Sequence, residues 1–269
     1  MHRSIHARPG LGAALQIVQE GGGVLRRVVV DAPALILVRR GRKRVRCGSA
    51  VAEAQPGEMI AFAPGSEVEV TNTPSPSGPY EALCLAFDLA LGPDAAAVRN
   101  GVRRLASIAA LGRPPAYLLA AFERAAASCG QDNAVPDDIL RHQFAEVLLA
   151  LDLVGWRFDL RGAQRVSVQM RRLLASDPAH PWRMGEVGRS LGMSEPTLRR
   201  RLAAEGVGFR TIIAQVRMGH ALALLQSSDL SITQIAYAAG YESLSQFSAK
   251  FRRHFGQSPA HLRRDGARA

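Results

Sequence analysis

The sequence predicts a two-domain α+β protein, in which a small β-barrel with covering helices precedes an all-helical domain. The 269 residues exceed the roughly 100 to 200 of a usual single domain. Short apolar runs broken by turns dominate the first third of the chain, and a helical period dominates the rest. Positive charge is concentrated near the C-terminus, since residues 161–269 hold 17 Lys and Arg against 7 Asp and Glu.

Residues 12–92 have the pattern of short strands. The run from Ala34 to Val38 is continuously apolar, and charged and apolar side chains alternate from Glu67 to Val70. Turn sequences such as Gln55-Pro56-Gly57 and Pro64-Gly65 separate these runs. Frequent turns between short strands are typical of a small barrel or a sandwich, and we expect the barrel.

A helical period begins near residue 93 and continues to residue 156. Asp137 and Asp138 suit the N-terminus of a helix. The apolar faces either pack on the barrel of the same chain or form a dimer interface, and both alternatives stay open. One face holds Leu118, Phe122, Ala125 and Cys129, and the other holds Leu140, Phe144, Val147, Leu148 and Leu151. Residues 157–164 lack a clear period and are the expected linker between a regulatory domain at 1–156 and a second domain at 165–269.

A helix-turn-helix pattern occurs twice in the second domain. In each copy a small residue precedes a turn glycine by four positions, Gly188 before Gly192 and Ala236 before Gly240. One such pattern is a common coincidence, but two in the basic part of one chain indicate DNA binding. We expect the first unit at about 184–204, a connecting helix at about 209–226 and the second unit at about 232–255.

Local signals predict how these helices begin. The Ser194 hydroxyl can accept a backbone N–H at a helix start, and Pro196 is tolerated in the first turn. Ser231 with Gln234 forms a capping-box pattern before the fifth helix of the domain. Two inward stripes are expected: Leu198 and Leu202 in the first unit, and Leu244, Phe247, Phe251 and Phe255 in the second.

Residues 190–202 (SLGMSEPTLRRRL) and 240–261 (GYESLSQFSAKFRRHFGQSPAH) resemble the DNA-binding domain of AraC/XylS-type bacterial transcription regulators. The resemblance implies two recognition helices in successive major grooves, which recur about 34 Å apart and are spanned by the connecting helix. It also implies double-stranded DNA and RNA polymerase as partners, a homodimer, and activation as the usual outcome. The N-terminal domain of this family is often a cupin-like sensor, so the barrel is expected to be cupin-like and the helices after it to serve dimerisation.

The resemblance places base contacts on both recognition helices. An arginine fork can bond guanine O6 and N7 together, which favours the first helix as the more specific reader. The second helix has Ala249 where many members have arginine. The expected base contacts are Pro196, Thr197, Arg199, Arg200, Ser243, Ser245, Gln246 and Lys250. The expected backbone contacts are Arg171, Arg172, Arg201, Arg210, Arg252, Arg253, Arg263 and Arg264.

An enzymatic N-terminal domain is disfavoured by the histidine count. A catalytic cupin needs a His-x-His pair and a later histidine, but no histidine occurs between His6 and His142. We therefore expect no catalytic residues, no metal and no cofactor. The effector site is unknown: a small molecule in the barrel is our first hypothesis, control by a protein partner the second, and a cupin-type enzyme with a DNA-binding appendage a remote third.

Six of the eight residues from Arg39 to Arg46 are basic. A hairpin with solvated charges is the simplest interpretation. A second nucleic-acid contact, an anionic effector and an acidic protein partner are the alternatives.

The sequence shows no sign of export or of a membrane span. The N-terminal segment MHRSIHARPG lacks an apolar run, and no run of about 18 apolar residues occurs. The three cysteines are odd in number and widely spaced. We therefore expect a reduced cytoplasmic protein that does not contact the membrane.

Overall fold

The structure is a computed structural model that describes residues 5–19, 21–91, 101–130, 135–160, 164–228 and 230–264. A β-rich N-terminal part is followed by a helical C-terminal part, which confirms the predicted two-domain α+β layout. Within the described ranges, no helix is both long and apolar enough to cross a lipid bilayer.

Two facing sheets of antiparallel strands form the N-terminal part. The first sheet contains, in spatial order, β1 (Ile5–Arg8), β2 (Gly12–Gln19), β9 (Tyr80–Phe87), β4 (Ala34–Arg40), β7 (Met59–Phe62) and β11 (Ile108–Gly112). The second contains β3 (Gly23–Val30), β8 (Ser66–Thr73), β5 (Arg42–Cys47) and β6 (Ala50–Ala54). The apolar run in β4 is explained by burial on both faces, because Leu35 and Leu37 face one core and Ala34 and Ile36 the other.

Two helices cover the outer face of the six-stranded sheet. They are α1 (Ala116–Ser128) and α2 (Asp137–Leu153), and their predicted apolar faces are buried against Leu35, Met59 and Leu85. Packing on the same chain, the first of the two alternatives, is therefore confirmed for these stripes. The helical region begins later than expected, because strand β11 lies within the segment that we predicted to be helical.

A short parallel pair of strands lies outside the two sheets. Strand β10 (Arg103–Leu105) pairs with β12 (Trp156–Phe158), so the expected linker begins inside a strand rather than after the domain. Local periodicity could not reveal a three-residue strand whose partner lies about fifty positions away. Residues 161–163 of that linker lie outside the described ranges.

The C-terminal part is helical throughout its described residues. The long helix, Phe209–Ser227, contributes to two cores. Its first half adds Ile212 and Val216 to a small core within the C-terminal part, and its second half adds Leu222 and Leu225 to a larger one. The helices are α3 (Val166–Ala175), α4 (Met184–Ser190), α5 (Glu195–Ala204), α6 (Phe209–Ser227), α7 (Ile232–Ala238), α8 (Leu244–Phe255) and α9 (Pro259–Arg264).

The sheets do not close into the barrel that we expected. Strands β2 and β3 are consecutive but lie in different sheets and are not paired. Helix α6 contacts both of these strands, and α8 contacts β3. Apolar residues of the sandwich and of α6 to α8 consequently form one continuous core. Because the C-terminal part covers the opening, the apolar interior is removed from water without closure of the barrel.

Candidate nucleic-acid interface and adjoining cavity

The first helix-turn-helix unit is formed by α4 and α5. The backbone N–H of Met193 donates to the carbonyl of Gly188 at 2.8 Å, and a β-carbon on Gly188 would lie 2.7 Å from the Met193 carbonyl oxygen. Glycine is therefore required for this close approach. Gly192 has φ +67° in the turn, and Ser194 caps α5 by accepting from the backbone N–H of Thr197, as predicted.

The second unit, α7 and α8, repeats this geometry. The backbone N–H of Tyr241 donates to the carbonyl of Ala236 at 2.9 Å, and Gly240 has φ +76°. The capping box of Ser231 and Gln234 is present before α7, which confirms that prediction. Ser243 caps α8 and follows Ala236 by seven positions, against six from Gly188 to Ser194, so the second turn is one residue longer.

The candidate base-contacting side chains of α5 differ in their exposure and in their contacts with neighbouring side chains. Pro196, Arg199 and Arg200 are exposed, and Thr197 is half-buried. Arg199 pairs with Glu195 one turn earlier at 2.9 Å. Thr197 accepts a hydrogen bond from the Ser194 hydroxyl at 2.9 Å. Of these two arginines, Arg200 is therefore the one that forms no ion pair among the described residues.

The second reading helix presents smaller groups. Ser245, Gln246 and Lys250 are exposed, and the Ser243 and Ser245 hydroxyls are 2.9 Å apart. The Lys250 ammonium lies 5.2 Å from the centre of the Tyr241 ring, within cation–π distance. The prediction for Leu244 was wrong: it is 41% exposed and does not join the buried stripe of Phe247, Phe251 and Phe255. Leu244 is the first residue of α8 and lies at the end of the stripe, directly after the Ser243 cap.

The candidate DNA-backbone arginines fall into three groups. Arg201, Arg210, Arg252 and Arg253 are exposed, whereas the side chains of Arg263 and Arg264 lie outside the described residues. Arg172 pairs with Asp88 of the N-terminal part at 2.8 Å.

The prediction for Arg171 is corrected by its burial, since only 8% of it is exposed. It donates a hydrogen bond to Gln215 of α6. Burial lowers the pKa of Arg171, and the negative charges of Asp31 and Glu67 oppose that change. Arg171 therefore lies in the contact between the two parts rather than on a surface that could reach DNA.

Sequence reasoning missed Arg217, which joins the two helix-turn-helix units. Its Nε donates to the carbonyl of Pro178 at 3.0 Å, and its Nη2 to those of Ala179 and His180 at 3.2 Å. Its Nη1 donates to the carbonyl of Gly240 at 3.0 Å. The available signal was an arginine in the interior of a largely apolar helix. Its guanidinium can hold both units because its donors diverge in a fixed fork.

The basic cluster of Arg39 to Arg46 lies on the β4–β5 hairpin. Most of its arginines pair with carboxylates: Arg39 with Glu123, Arg40 with Glu81, Arg44 with Glu53 and Arg46 with Glu69. Lys43 departs from the solvated hairpin that we expected. It is on the inward face of β5 and only 3% exposed.

A cavity of about 320 Å³ lies between the sheets, beneath the C-terminal part. Leu15, Ile17 and Leu25 are among its apolar walls on the sandwich side. The polar residues around it are Arg27, Asp31, Lys43, Asn72, Cys84, Gln215 and His254, and the C-terminal part contributes Gly219, Leu222, Ala223 and Phe255. The cavity is therefore bounded by both domains.

Several contacts hold the two parts together around this cavity. Gln215 donates to Glu67 at 3.2 Å, and Gln257 donates to the carbonyl of Val24 at 3.3 Å. Together with the Arg172–Asp88 pair, these bonds add polar contacts to the apolar core that the two parts share. Within the described ranges, no group of three or more His, Cys, Asp or Glu side chains is arranged to hold a metal ion.

Comparisons with known families match both parts of the chain. Residues 14–137 match the family described as AraC-type transcriptional regulator N-terminus, and residues 187–265 match a family described as helix-turn-helix domain. The two matches correspond to the sandwich with its helices and to the paired helix-turn-helix units.

Curated relatives resemble the C-terminal part. The HTH-type transcriptional regulator YdeO of Escherichia coli K12 is 36% identical over 104 residues, which are 39% of this chain and 41% of YdeO. The urease operon transcriptional activator of Escherichia coli is 32% identical over 125 residues, 46% of this chain and 41% of that protein. The chain thus spans about two-fifths of the length of these relatives.

Solved structures extend the similarity to the whole fold. Vibrio cholerae ToxT bound to an unsaturated fatty acid superposes with a TM-score of 0.65 at 16% identity, over 92% of each chain. ToxT bound to (E)-4-(8-methylnaphthalen-1-yl)but-3-enoic acid gives a TM-score of 0.63 at 15% identity, over 94% of this chain and 97% of ToxT. At this identity the likeness concerns the fold alone.

Proposed function

The chain belongs to the AraC-type transcriptional regulators, and we propose that it binds double-stranded DNA sequence-specifically in the cytoplasm and regulates transcription. The observation that carries the proposal is the pair of capped helices, α5 and α8, whose polar side chains are exposed. Each is preceded by a turn with the same close backbone contact. Two such recognition helices, joined through one connecting helix, suit two successive major grooves.

Base recognition is assigned to the exposed side chains of these two helices, with the arginines of α5 as the stronger readers. Phosphate contacts are assigned to the exposed arginines Arg201, Arg210, Arg252 and Arg253. Arg172 joins them only if its pair with Asp88 opens. The concentration of positive charge in residues 161–269 supports a polyanionic partner.

Control by a small molecule is the second part of the proposal. It is supported by a cavity lined by both domains, because a molecule bound there touches the DNA-binding part directly. The ToxT structures, which share the fold, hold small molecules. An activating role is supported by one relative, the urease operon transcriptional activator. Contact with RNA polymerase is part of the same proposal.

A homodimer through α1 and α2 completes the proposal. Large apolar side chains on these helices remain exposed: Tyr117, Ile139, Leu149 and Leu153 are 47% to 51% exposed. Leu149 and Leu153 lie one turn apart on α2 and therefore share a face, and adjoining exposed apolar side chains support an association site there.

DNA binding is tested by selecting sites from random duplexes with the full chain. We expect two-part sites whose halves are about one helical turn apart, and an affinity that falls steeply with salt. Arg200→Ala should weaken selection of one half. Arg44→Ala is the matched control, because Arg44 is also exposed but pairs with Glu53 on the sandwich. A salt-independent affinity would refute the electrostatic basis of this proposal.

Effector control is tested with a substitution that fills the cavity. Val68 lines the cavity and is 2% exposed, so Val68→Phe should occupy part of the ligand space and change the affinity for the selected site at least about threefold. Val51→Phe, on the exposed edge strand β6, is the control. If neither variant changes DNA affinity and a protein co-purifies with the sandwich, control by a protein partner replaces control by a metabolite.

A further inference from the structure

An exposed leucine begins the second recognition helix. Leu244 is the first residue of α8, and 41% of its surface is exposed. Phe247, three positions later on the same side of the helix, is fully buried. Leu244 therefore lies just beyond the end of the core. A single exposed leucine needs no explanation on an ordinary surface, but this one lies at the end of a helix that is proposed to enter DNA.

The position of Leu244 on the helix is one from which side chains reach the base edges. In a helix-turn-helix unit, the N-terminal residues of the recognition helix contact the bases, while the preceding helix crosses the DNA backbone. Leu244 adjoins Ser245 and Gln246, which are both exposed. Its side chain is therefore continuous with the proposed base-contacting surface of α8.

The serines on either side of Leu244 are short and engaged with each other. Ser243 accepts a hydrogen bond from the backbone N–H of Gln246, and the Ser243 and Ser245 hydroxyls are 2.9 Å apart. Leucine is longer than serine, so Leu244 extends furthest from the helix axis among these three residues. A base that approaches the start of α8 consequently meets an apolar group.

The first unit has a different group at the matching position. Glu195 is the first residue of α5 and precedes the buried Leu198 by three positions, as Leu244 precedes Phe247. The Glu195 side chain is 46% exposed and pairs with Arg199 at 2.9 Å. The two recognition helices thus present a carboxylate and an isobutyl group from equivalent places.

An isobutyl group can recognise one base feature of the major groove. It has no hydrogen-bond donor or acceptor, whereas guanine, cytosine and adenine present only such groups to a protein there. Thymine adds an apolar C5-methyl group. Contact between the Leu244 side chain and this methyl group removes apolar surface of both partners from water, which is favourable.

We propose that Leu244 contacts the C5-methyl group of a thymine and sets a preference for thymine at one position of the half-site bound by α8. The inference rests on the proposed DNA-binding function and adds a specificity-determining residue to it. The contact involves no charge. The discrimination between thymine and a base without the methyl group is therefore the same at low and at high salt, although the affinity itself falls with salt.

Deoxyuridine is the probe, because it pairs with adenine as thymidine does and lacks only the C5-methyl group. In the site selected by the full chain, each thymine is replaced in turn by deoxyuridine, and fluorescence anisotropy measures the affinity for each duplex. At one position, the replacement should weaken binding of the unaltered protein about fourfold, the effect expected for one buried methyl group. The ratio of the two affinities should not change with salt.

Leu244→Ala should bind the thymine and deoxyuridine duplexes of that position equally. Its melting temperature should equal that of the unaltered protein, because Leu244 lies outside the core, and this separates a lost contact from lost folding. Leu149→Ala is the matched control, because Leu149 is also an exposed leucine but lies on α2, and this variant should retain the difference between the duplexes. In a new site selection, Leu244→Gln should exchange the preferred thymine for adenine, because an amide can bond adenine N6 and N7 together.

The inference is overturned by a selected site without thymine, by equal affinity of the unaltered protein for every deoxyuridine duplex, or by an unchanged ratio in Leu244→Ala. Retention of thymine by Leu244→Gln also overturns it. A lower melting temperature of Leu244→Ala, with equally weaker binding to all duplexes, would assign Leu244 to folding instead.

Failure of the proposed function has a different signature. A chain that selects no sequence from random duplexes overturns the proposed DNA recognition and this inference together. A chain that selects a two-part site without dependence on a thymine methyl group retains the proposed function and overturns the role of Leu244 alone.

Discussion

The guanidinium of Arg217 lies against the backbone of Gly240, so that a β-carbon on Gly240 would be 2.9 Å from Cζ of Arg217. It would also lie 2.9 Å from Cα of Ala179, in the segment before the first helix-turn-helix unit. The turn of the second unit, the connecting helix and the entrance to the first unit therefore meet at one point. We therefore expect the spacing of the two recognition helices to depend on this contact.

Gly240→Ala should destabilise the C-terminal part by about 3 kcal/mol, because it adds a backbone clash to the strain of a positive φ. Gly192→Ala is the matched control: its φ is also positive, but no atom lies within 4 Å, so about 1 kcal/mol is expected. Urea unfolding can be followed by Trp182 fluorescence in a Trp156→Phe background, since the chain has two tryptophans. Equal losses in the two variants would contradict the close contact.

Arg217→Met should destabilise the C-terminal part by about 2 kcal/mol, because four carbonyl hydrogen bonds disappear. It should also weaken binding to two-part DNA sites by more than binding to a site that keeps only one half. Electrophoretic mobility shifts with both duplexes measure this difference. Arg217→Lys tests the fork geometry and should restore little, because an ammonium cannot span the four acceptors. Equal weakening on both duplexes would mean that Arg217 contributes stability without setting the spacing.

Features fixed by neighbouring residues were predictable from the sequence. The Ser194 and Ser231 caps involve partners three positions away, and both are present. The cap of α3 was not predictable, because the Glu205 carboxylate accepts from the backbone N–H groups of Val166 and Ser167 at 2.7 and 3.0 Å. Those partners are almost forty positions apart and meet only after the domain has folded.

The sequence did not indicate which basic side chains of the site point inward. The alternation of β5 places Arg42 and Arg44 outward and Lys43 inward, but a run of basic residues has no apolar face to mark the inside. Arg171 was misplaced for a related reason. Its helix has basic residues on two faces, and only the docked N-terminal part shows which face is covered.

Acid should destabilise the folded protein through two half-buried histidines of the C-terminal part. Burial lowers the pKa of His220 and of His254 below the ordinary value of 6.5. Below pH 6.5, the unfolded chain therefore binds protons at these histidines more readily than the folded chain does, and unfolding takes up protons. The free energy of unfolding should be highest above pH 6.5 and should decline below it, by at most about 1.4 kcal/mol per pH unit for each proton.

Urea unfolding between pH 7.5 and 5 measures this slope. His220→Gln and His254→Gln should each flatten it, because neither variant can take up the proton at that position. A double variant with an unchanged slope would assign the acid sensitivity to other groups.

The two reading helices should contribute unequally to DNA specificity. Arg200 is exposed, whereas Arg199 pairs with Glu195, and the second helix has Ala249 exposed and Lys250 against Tyr241. A bidentate arginine–guanine contact is worth about 1 to 3 kcal/mol of discrimination. Arg200→Ala should therefore relax the base preference of one half-site by about 10- to 100-fold, and Gln246→Ala should relax the other half-site less. Site selection with both variants and with Arg252→Ala separates base contacts from phosphate contacts. Loss of a phosphate contact lowers the slope of log affinity against log salt concentration by about 1 and does not alter the preferred sequence. A larger effect of Gln246→Ala than of Arg200→Ala would reverse the assignment and make α8 the principal reader.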